Sequence, residues 1–185
     1  MELKYKLLEH PFYQAWMNGE ISTEQLSKYS HSYLDFIERM PVYWQKVLDC
    51  LGVKEETGSE IVKEETEHIA LWKRWSSQLE SVSSFPAMTN VLGEFEKMNP
   101  SELLGALHAF EIQQPAVAKT KKEGLINYYG FTLETTIYFD EHMNEQKHIL
   151  YGEKIAEIFA DKKDFQNGFE RGSELVYKSL DLFMN

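Results

Sequence analysis

Apolar residues recur every three or four positions along almost the whole chain, and runs of β-branched residues with alternating polarity are missing. This spacing matches the turn of an α-helix and not the two-residue period of a strand, so it predicts an all-α fold. The chain has 185 residues, of which 43% are apolar and 14% aromatic, which is enough to build a substantial core. We therefore expect a single helical domain over residues 1–185.

Capping and helix-breaking residues mark the two ends of a long helix near the start of the chain. Ser22 and Gln25 have the spacing of a capping box, in which each side chain bonds the backbone N–H of the other residue. Gly52 follows the last residue with helical spacing, and Pro41 is placed to kink or break the run. The pattern predicts a helix that begins at Ser22 and closes at Gly52.

The remaining segments carry the same helical spacing. Asn99 is a typical cap followed by a proline at the first helical position, and this helix is predicted to be kinked at Pro115 and to end at Gly124. Other helices are expected over about residues 59–79, 132–159 and 163–183, with a short one within residues 83–98. Neither an internal repeat nor a shift in composition divides the chain.

The charge of the chain limits its partners. Thirty acidic against nineteen basic residues give a net charge of −11, which repels phosphate backbones and anionic lipids, so neither nucleic acid nor a membrane is expected as a partner. No apolar run approaches the ~20 residues that span a bilayer. The first residues lack the apolar stretch of a secretory signal, and we expect a cytoplasmic protein. The single cysteine, Cys50, is expected to be a buried thiol without a chemical role.

Three of the predicted helices carry a histidine within one turn of a carboxylate. Side chains three or four residues apart point to the same side of a helix, and helical bundles build two-metal sites from such groups on facing helices. Carboxylate oxygens mixed with neutral imidazoles favour iron or manganese, with zinc as a further alternative. The three groups are Glu64, Glu65 and His68; His108 and Glu111; and Glu141, His142, Glu145 and His148.

These groups also have a purely structural interpretation. An acidic chain with six histidines places some of them near carboxylates by chance. A paired lysine or a hydrogen-bond network could also compensate a buried carboxylate. The apolar neighbours of Glu65 and Glu111 favour a functional site, because an uncompensated carboxylate close to a core is costly. The residues alone leave both interpretations open.

The last group does not fit one face of a regular helix. At about 100° per residue, His142, Glu145 and His148 spread over about 120°, whereas Glu141, Glu145 and His148 fall within about 60°. A regular helix therefore favours the set that contains Glu141. If His142 and His148 bind the same centre, the helix is expected to be irregular between them.

Four stretches of the chain together resemble one family of helical proteins. They are LLEHPFYQAWMNGEISTEQLSKY, EETEHIALW, FEIQQPAVAKTKKEGL and YFDEHMNEQKH. The chain resembles the heme-oxygenase-like proteins that include TenA and PqqC. Among them it is most similar to the CADD group of non-heme di-iron oxidases, which is linked to para-aminobenzoate and folate synthesis. The resemblance implies a heme-oxygenase-like bundle of about seven helices.

The resemblance also implies a set of metal ligands with three carboxylates and three imidazoles. Such a set can hold two iron ions, or manganese, with positions open for dioxygen and a substrate. Because the family's glutamate lies farther from its histidine, either Glu64 or Glu65 could be the first ligand, and a Glu-x-x-His pair favours Glu65. Glu145 stands where the group has an aspartate. The implied ligands are Glu64 or Glu65, His68, Glu111, His142, Glu145 and His148.

Two other residues correspond to chemically active positions of the family. The resemblance implies that enzymes of this family which form para-aminobenzoate take product atoms from a tyrosine and a lysine of their own chain. The matching positions here are Tyr13 and Lys121. As an alternative, Tyr13 could simply pack its ring near a helix start, and Lys121 could be solvated beside Lys119 and Lys122. A lysine with a perturbed pKa would have to be buried.

The sequence supports three functional hypotheses. The first is a di-iron oxidase that uses dioxygen and an unknown small-molecule substrate in para-aminobenzoate, folate or other cofactor biosynthesis. The second is a metal-free TenA- or PqqC-like enzyme acting on a small heterocycle, and the third is a helical interaction module with an acidic binding surface. Convergence of the three carboxylate-histidine groups inside the bundle favours chemistry, whereas exposure favours a binding surface. Because relatives are often dimers, the resemblance also suggests a homodimer.

Overall fold

All regular secondary structure is helical in a computed structural model of the chain, which describes residues 2–82 and 85–184. The prediction of an all-α fold is therefore confirmed. The nine α-helices of the described residues are close to the expected number of about seven. The α-helices are α1 Pro11–Met17, α2 Thr23–Leu51, α3 Glu56–Ser76, α4 Thr89–Phe95, α5 Pro100–Glu111, α6 Gln114–Tyr128, α7 Ile137–Met143, α8 Gln146–Phe159 and α9 Lys162–Ser179. Short 3₁₀ helices cover Leu7–Glu9, Glu134–Thr136 and Leu180–Phe183.

The long helix α2 begins and ends at the predicted residues. The backbone N–H of Gln25 donates to the Ser22 hydroxyl, and the backbone N–H of Ser22 donates to the Gln25 side chain, which completes the capping box. Gly52 closes the helix with a left-handed φ of 71°, a conformation that glycine adopts without steric cost. Pro41 lies inside α2 without ending it. Both predicted ends are therefore confirmed.

The segment predicted as one kinked helix from Asn99 to Gly124 contains two helices. Asn99 caps α5 as expected, but α5 ends at Glu111, and Pro115 stands in the first turn of α6. The predicted end at Gly124 is wrong, because α6 continues to Tyr128. Gly124 is required for packing instead: a Cβ atom there would lie 2.5 Å from Cδ1 of Trp16.

The predicted single helix over residues 132–159 is also interrupted. It contains the 3₁₀ turn Glu134–Thr136 and then α7 and α8. Between α7 and α8, Asn144 and Glu145 leave the helical conformation, with ψ angles of 11° and 35°. This is the irregularity expected if His142 and His148 are to face one centre. The smaller predictions hold approximately: α3 starts and ends three residues earlier than expected, and α4 lies within residues 83–98, of which Ser83 and Ser84 are outside the described residues.

Helix α5 lies at the centre of the bundle. Its residues from Leu103 to Glu111 are buried, and it packs against α2, α8 and α9. The contact with α9 is unusually close, because a Cβ atom on Gly105 or Gly168 would collide with the backbone of the facing helix. Helix α3 packs against α2 and also contacts α7 and α8. The end of α5, the middle of α3 and the α7–α8 junction therefore border a common interior.

The outer surface differs from the expectations in one respect. Cys50 is exposed beside exposed Asp49 in the last turn of α2, so the expectation of a buried thiol is wrong. In the described part of the chain, none of the helices combines the length and apolarity needed to cross a bilayer.

Candidate metal centre

Six carboxylate and imidazole side chains meet inside the bundle. Each of them has at most 6% of its surface exposed. Helix α3 supplies two of them, the last residue of α5 supplies one, and the α7–α8 junction supplies three. They are Glu65, His68, Glu111, His142, Glu145 and His148. We refer to these six residues as the cluster.

Local structure explains why these side chains share one space. Glu65 and His68 lie three residues apart, so both point to the buried side of α3 that also carries Trp72. His142 and His148 are brought to one side because the helix is interrupted between them. A continuous helix would have turned these two histidines about 120° apart.

The cluster contains two sets of three donor atoms, and the atoms of each set lie within 4.8 Å of one another. One set is formed by Glu65, His68 and His142, and the other by Glu65, Glu111 and His148. Glu65 belongs to both sets, which is the arrangement expected of a carboxylate that bridges two ions. Two-metal sites place their ions about 3.5–4 Å apart, a separation that one bridging carboxylate can span.

Glu145 faces three imidazoles with a single oxygen atom. Its Oε1 atom lies 3.5 Å from Nδ1 of His68, 3.6 Å from Nε2 of His142 and 3.8 Å from Nδ1 of His148. Both oxygens of Glu145 and the Nδ1 atoms of His68 and His148 are buried without a hydrogen-bond partner among the described residues. Buried polar atoms are rarely left unpaired. Donor atoms that converge without bonding one another are suited to a cation, so the residues present fit a metal centre.

Hydrogen bonds on the outer side of the cluster fix the imidazole rings. Nδ1 of His142 lies 2.9 Å from the carbonyl oxygen of Tyr138, so Nδ1–H donates outward and Nε2 faces the cluster. Nε2 of His148 lies 3.0 Å from Oε2 of Glu64, which leaves Nδ1 facing inward. On the third side, the indole N–H of Trp44 donates to Glu111 at 3.4 Å. Metal-binding histidines are commonly oriented by partners of this kind.

Full ionisation of the three carboxylates in the cluster would give more negative charge than its histidines compensate. Burial, followed by the charges of Glu111 and Glu65, raises the pKa of Glu145 to about 10. Burial lowers the pKa of His148, but the neighbouring carboxylates Glu111 and Glu65 outweigh it and raise the value to about 12. Burial and then neighbouring His68 lower the pKa of His142 to about 3, which keeps this imidazole neutral as metal binding requires. Bound cations would supply the missing positive charge.

Three residues from the predicted groups lie outside the cluster. The Glu64 side chain is 39% exposed and pairs with Lys147 and with the outer nitrogen of His148, while Glu141 is exposed on α7. The structure thus brings Glu65 rather than Glu64 to the interior. His108 is buried, and its ring contacts Phe165 and Phe169 instead of the cluster.

Lys121 occupies a second polar site, which is lined by aromatic rings. Its Nζ atom lies 5.6 Å from the ring centroid of Tyr13, 5.2 Å from those of Tyr29 and Tyr33, and 5.8 Å from that of Trp72. Lys121 is 2% exposed, so the alternative of a solvated lysine is wrong. Burial lowers its pKa to about 7. The hydroxyls of Tyr13 and Tyr29 lie 3.1 Å apart. We call Lys121 and these four rings the aromatic cage.

Sequence reasoning missed the rings that join the cage to the cluster. Tyr138 stacks on His142 with a centroid distance of 4.0 Å, and Trp72 lies 4.8 Å from Tyr138 and also lines the cage. Helical spacing offered a signal for both, because Trp72 follows His68 by four residues and Tyr138 precedes His142 by four. The contact between Trp44 and Glu111 had no comparable signal, because it joins distant helices.

Comparisons with known proteins give relatives over almost the whole chain, although no family model matches it. The chain is 31% identical to a 4-aminobenzoate synthase of Chlamydia muridarum, covering 96% of this chain and 84% of that protein. It is 28% identical to a 4-aminobenzoate synthase of Nitrosomonas europaea, covering 95% and 84%.

Solved structures show the same fold at low identity. A TenA homolog from Pseudomonas syringae pv. tomato superposes with a TM-score of 0.80 at 14% identity, covering 96% of this chain and 86% of that one. A domain with a heme oxygenase-like fold from Shewanella denitrificans gives a TM-score of 0.76 at 14% identity, covering 96% and 85%. The heme-oxygenase-like fold is thus confirmed. Together with the identity to the chlamydial protein, it shows that the chain belongs to the CADD group of heme-oxygenase-like proteins, the family of the 4-aminobenzoate synthases.

Proposed function

We propose that the protein is a non-heme di-iron oxidase that activates dioxygen in cofactor biosynthesis. The observation that carries this proposal is the convergence of six buried carboxylate and imidazole groups. Both oxygens of Glu145 and the Nδ1 atoms of His68 and His148 lack hydrogen-bond partners in the described part of the chain. A helical interaction module would not need such a buried cluster. A metal-free enzyme would leave both buried oxygens of Glu145 without a hydrogen-bond partner among the described residues, which is costly inside a protein.

Each residue of the cluster has a role in this proposal. Glu65 would contribute to both ligand sets, His68 and His142 would complete one of them, and Glu111 and His148 would complete the other. Glu145 faces both sets. Two iron ions, or manganese as the alternative, would supply redox equivalents and open positions for dioxygen. Glu64 is assigned to orienting His148 and not to binding metal, because it contacts the outer nitrogen of the ring.

Aromatic side chains surround the inner side of the cluster and exclude water from it. Tyr138 covers His142, and Trp72 of the aromatic cage contacts Tyr138. Both rings are at most 2% exposed. A shell of this kind protects a reactive oxygen species from side reactions with solvent.

The relatives' name suggests the product, and the aromatic cage supports a source for it. We propose that this chain also makes 4-aminobenzoate, with Tyr13 as the source of ring atoms and Lys121 as the source of the amino nitrogen. Lys121 Nζ lies 5.6 Å from the Tyr13 ring centroid. Because the pKa of Lys121 is about 7, a substantial fraction of its amine is neutral at neutral pH.

Metal analysis tests the centre. Protein produced in iron-rich medium is expected to contain about two metal ions per chain, measured by elemental mass spectrometry for iron and manganese. Glu111→Ala and His148→Ala should each reduce the content to less than half. Glu123→Ala and His31→Ala remove the same residue types outside the cluster and should leave it unchanged. Full iron binding in both cluster variants would overturn the proposal.

Isotope labelling tests the source of the product separately. Protein labelled with ¹³C in tyrosine rings and ¹⁵N in lysine is supplied with iron, reductant and oxygen, and the released small molecules are analysed by mass spectrometry. Labelled 4-aminobenzoate is expected from the wild type. It should be absent from Tyr13→Phe and Lys121→Met, whose metal content stays at the wild-type level. Unlabelled product, or equal yield from both variants, would contradict this assignment while leaving the metal centre intact.

A further inference from the structure

An open groove of about 570 Å³ runs from the surface to the cluster between α3 and the α7–α8 junction. Three cluster residues, His68, Glu145 and His148, form part of its lining. Both carboxylate oxygens of Glu145 and Nδ1 of His68 are buried atoms without hydrogen-bond partners in the described part of the chain. The groove therefore ends at unpartnered donor atoms of the candidate metal centre.

The rim of the groove is acidic. Glu64, Glu67 and Glu141 line it together with Lys147. Lys63 lies near Glu67 at 3.7 Å, but its side chain is 77% exposed, so solvent screens this pair. Clefts lined by one sign of charge raise the local concentration of oppositely charged ions. Small cations are attracted to this groove, whereas anionic substrates are repelled.

Lys147 spans the groove and joins its two sides. Its Nζ atom lies 2.9 Å from Oε1 of Glu64 and 2.8 Å from Oε2 of Glu60, so a residue of α8 is tied to two residues of α3. Removing the ammonium group would release this tie and take the opposing charge out of the rim. Lys147 is therefore placed both to narrow the groove and to repel cations.

We propose that this groove is the route by which divalent metal ions enter the centre, with Glu67 and Glu141 as capture residues and Lys147 as the residue that limits entry. Glu145 transfers the ion inward, because it lies at the helix break, lines the groove and faces three imidazoles of the cluster. The inference rests on the proposed metal centre, and it concerns the rate of loading rather than the ligands.

Loading kinetics with Co²⁺ test this route. Metal-depleted protein is mixed with Co²⁺ in a stopped-flow instrument, and the visible absorption of bound Co²⁺ gives both rate and end point. The double variant Glu67→Gln/Glu141→Gln should load about threefold to tenfold more slowly at low ionic strength. The difference should shrink in high salt, where the screening length falls to about 3 Å. Lys147→Met should load at least about threefold faster. The final absorption of bound Co²⁺ should be the same in every variant as in the wild type.

Matched controls separate the route from general effects of charge. Glu157→Gln removes an exposed carboxylate of α8 outside the groove. Lys154→Met breaks a comparable ion pair, in which Nζ of Lys154 lies 2.7 Å from Glu55. Both controls should load at the wild-type rate. If the rim variants bind Co²⁺ at the same rate as these controls, the proposed route is wrong, but the proposed metal centre is unaffected. Failure of the wild type to bind Co²⁺ would overturn the centre and the route together.

Discussion

The cluster and the aromatic cage bury ionisable groups in the same core but compensate them differently. In the cluster, every ligand atom lies close to other polar atoms, and His148 approaches Glu65 to 3.2 Å. In the cage, the Lys121 side-chain nitrogen lies 5.2–5.8 Å from the centroids of four aromatic rings, and burial lowers its pKa. Trp72 belongs to the cage and lies 4.8 Å from Tyr138, which stacks on His142 of the cluster.

The difference shows two ways in which a protein can reduce the energetic cost of burying an ionisable group. In the cluster, positively charged groups stabilise the ionised form of the carboxylates. Full ionisation of all three carboxylates favours the binding of added cations. The cage instead lowers the pKa of its amine, so that the charge is lost near neutral pH. The cluster, which favours cations, therefore lies beside the aromatic cage, which disfavours the protonated form of its lysine. The following changes are expected to affect one site and leave the other intact.

The largest expected effect is stabilisation by metal. At a free Co²⁺ concentration of about 1,000 times Kd, binding should add about 4 kcal/mol to the free energy of unfolding. For a chain of this length, that corresponds to a rise in Tm of about 8–16 °C. The rise should disappear in Glu65→Gln, because Glu65 belongs to both ligand sets. Differential scanning calorimetry with and without Co²⁺ measures it.

Lys121→Met is the control for this comparison. It removes the charge of the cage without touching the cluster, so the rise in Tm with Co²⁺ should equal that of the wild type. A rise that is lost in Lys121→Met would show that the two sites are not independent. A rise retained in Glu65→Gln would contradict the assignment of that carboxylate to both ligand sets.

A smaller effect is expected from Lys121→Met at constant metal content. The folded state holds the pKa of Lys121 at about 7, below its value of 10.5 in the unfolded chain. The unfolded state therefore binds more protons between these values, and the lysine lowers stability fully below pH 7 and progressively less as the pH rises. Lys121→Met should raise the free energy of unfolding at pH 7 by about 2–4 kcal/mol.

The pH dependence identifies the cause of that gain. Between pH 7 and pH 9 the wild type should gain about 2 kcal/mol relative to Lys121→Met. Urea unfolding at both pH values measures this difference, and other titrating groups cancel because both proteins contain them. A difference that stays constant with pH would mean that the methionine side chain of the variant packs better than the lysine, and that no buried amine titrates in this window.

Capping residues and helical spacing predicted the fold well, because their effects are local. Ser22, Gln25 and Gly52 determine the ends of α2 through hydrogen bonds and backbone conformation within a few residues. Gly124 misled the prediction because its small size is needed by Trp16, a residue more than a hundred positions away. Such tertiary packing overrides a local helix-ending signal and is invisible in a single sequence.

The candidate site was predictable in composition but not in geometry. The spacing of Glu65 and His68 predicts a shared face on α3, and the structure places both in the cluster. The interruption at Asn144 could only be inferred conditionally, because it depends on bringing His142 and His148 together. The burial of Lys121 depends on rings from α1, α2 and α3, none of which is near it in the chain.

Gly124→Ala should disturb the cage and not the cluster, and it should lower the free energy of unfolding by about 1–3 kcal/mol. The added methyl group would lie 2.6 Å from Nε1 of Trp16, whose N–H donates to the carbonyl oxygen of Lys121 at 3.1 Å. Gly93→Ala is the matched control, since nothing lies within 4 Å of a Cβ atom there. Urea unfolding should show the loss only for Gly124→Ala, with metal content unchanged. A reduced metal content in Gly124→Ala would mean that disturbance of the cage reaches the cluster.

The smallest effect tests the outer side of the cluster. Glu64→Ala removes the acceptor of the His148 Nε2–H, which lies 3.0 Å from Oε2 of Glu64. Loss of such an orienting partner should weaken metal binding by about tenfold, or ~1.4 kcal/mol, at the low end of the usual range because Glu64 is partly exposed. Glu64→Gln keeps an acceptor and should lose less. Competition with a chelator measures the Kd.

Glu60→Ala is the control that isolates the bond to His148. Glu60 and Glu64 both pair with Lys147, at 2.8 Å and 2.9 Å, but only Glu64 also reaches His148. If Glu64 acts by orienting the imidazole, Glu60→Ala should bind metal with the wild-type Kd. Equal weakening by the two variants would show that their shared negative charge matters and the orientation of His148 does not. A loss in Glu64→Ala as large as in Glu65→Gln would make Glu64 a ligand after all, and the boundary of the cluster would move outward.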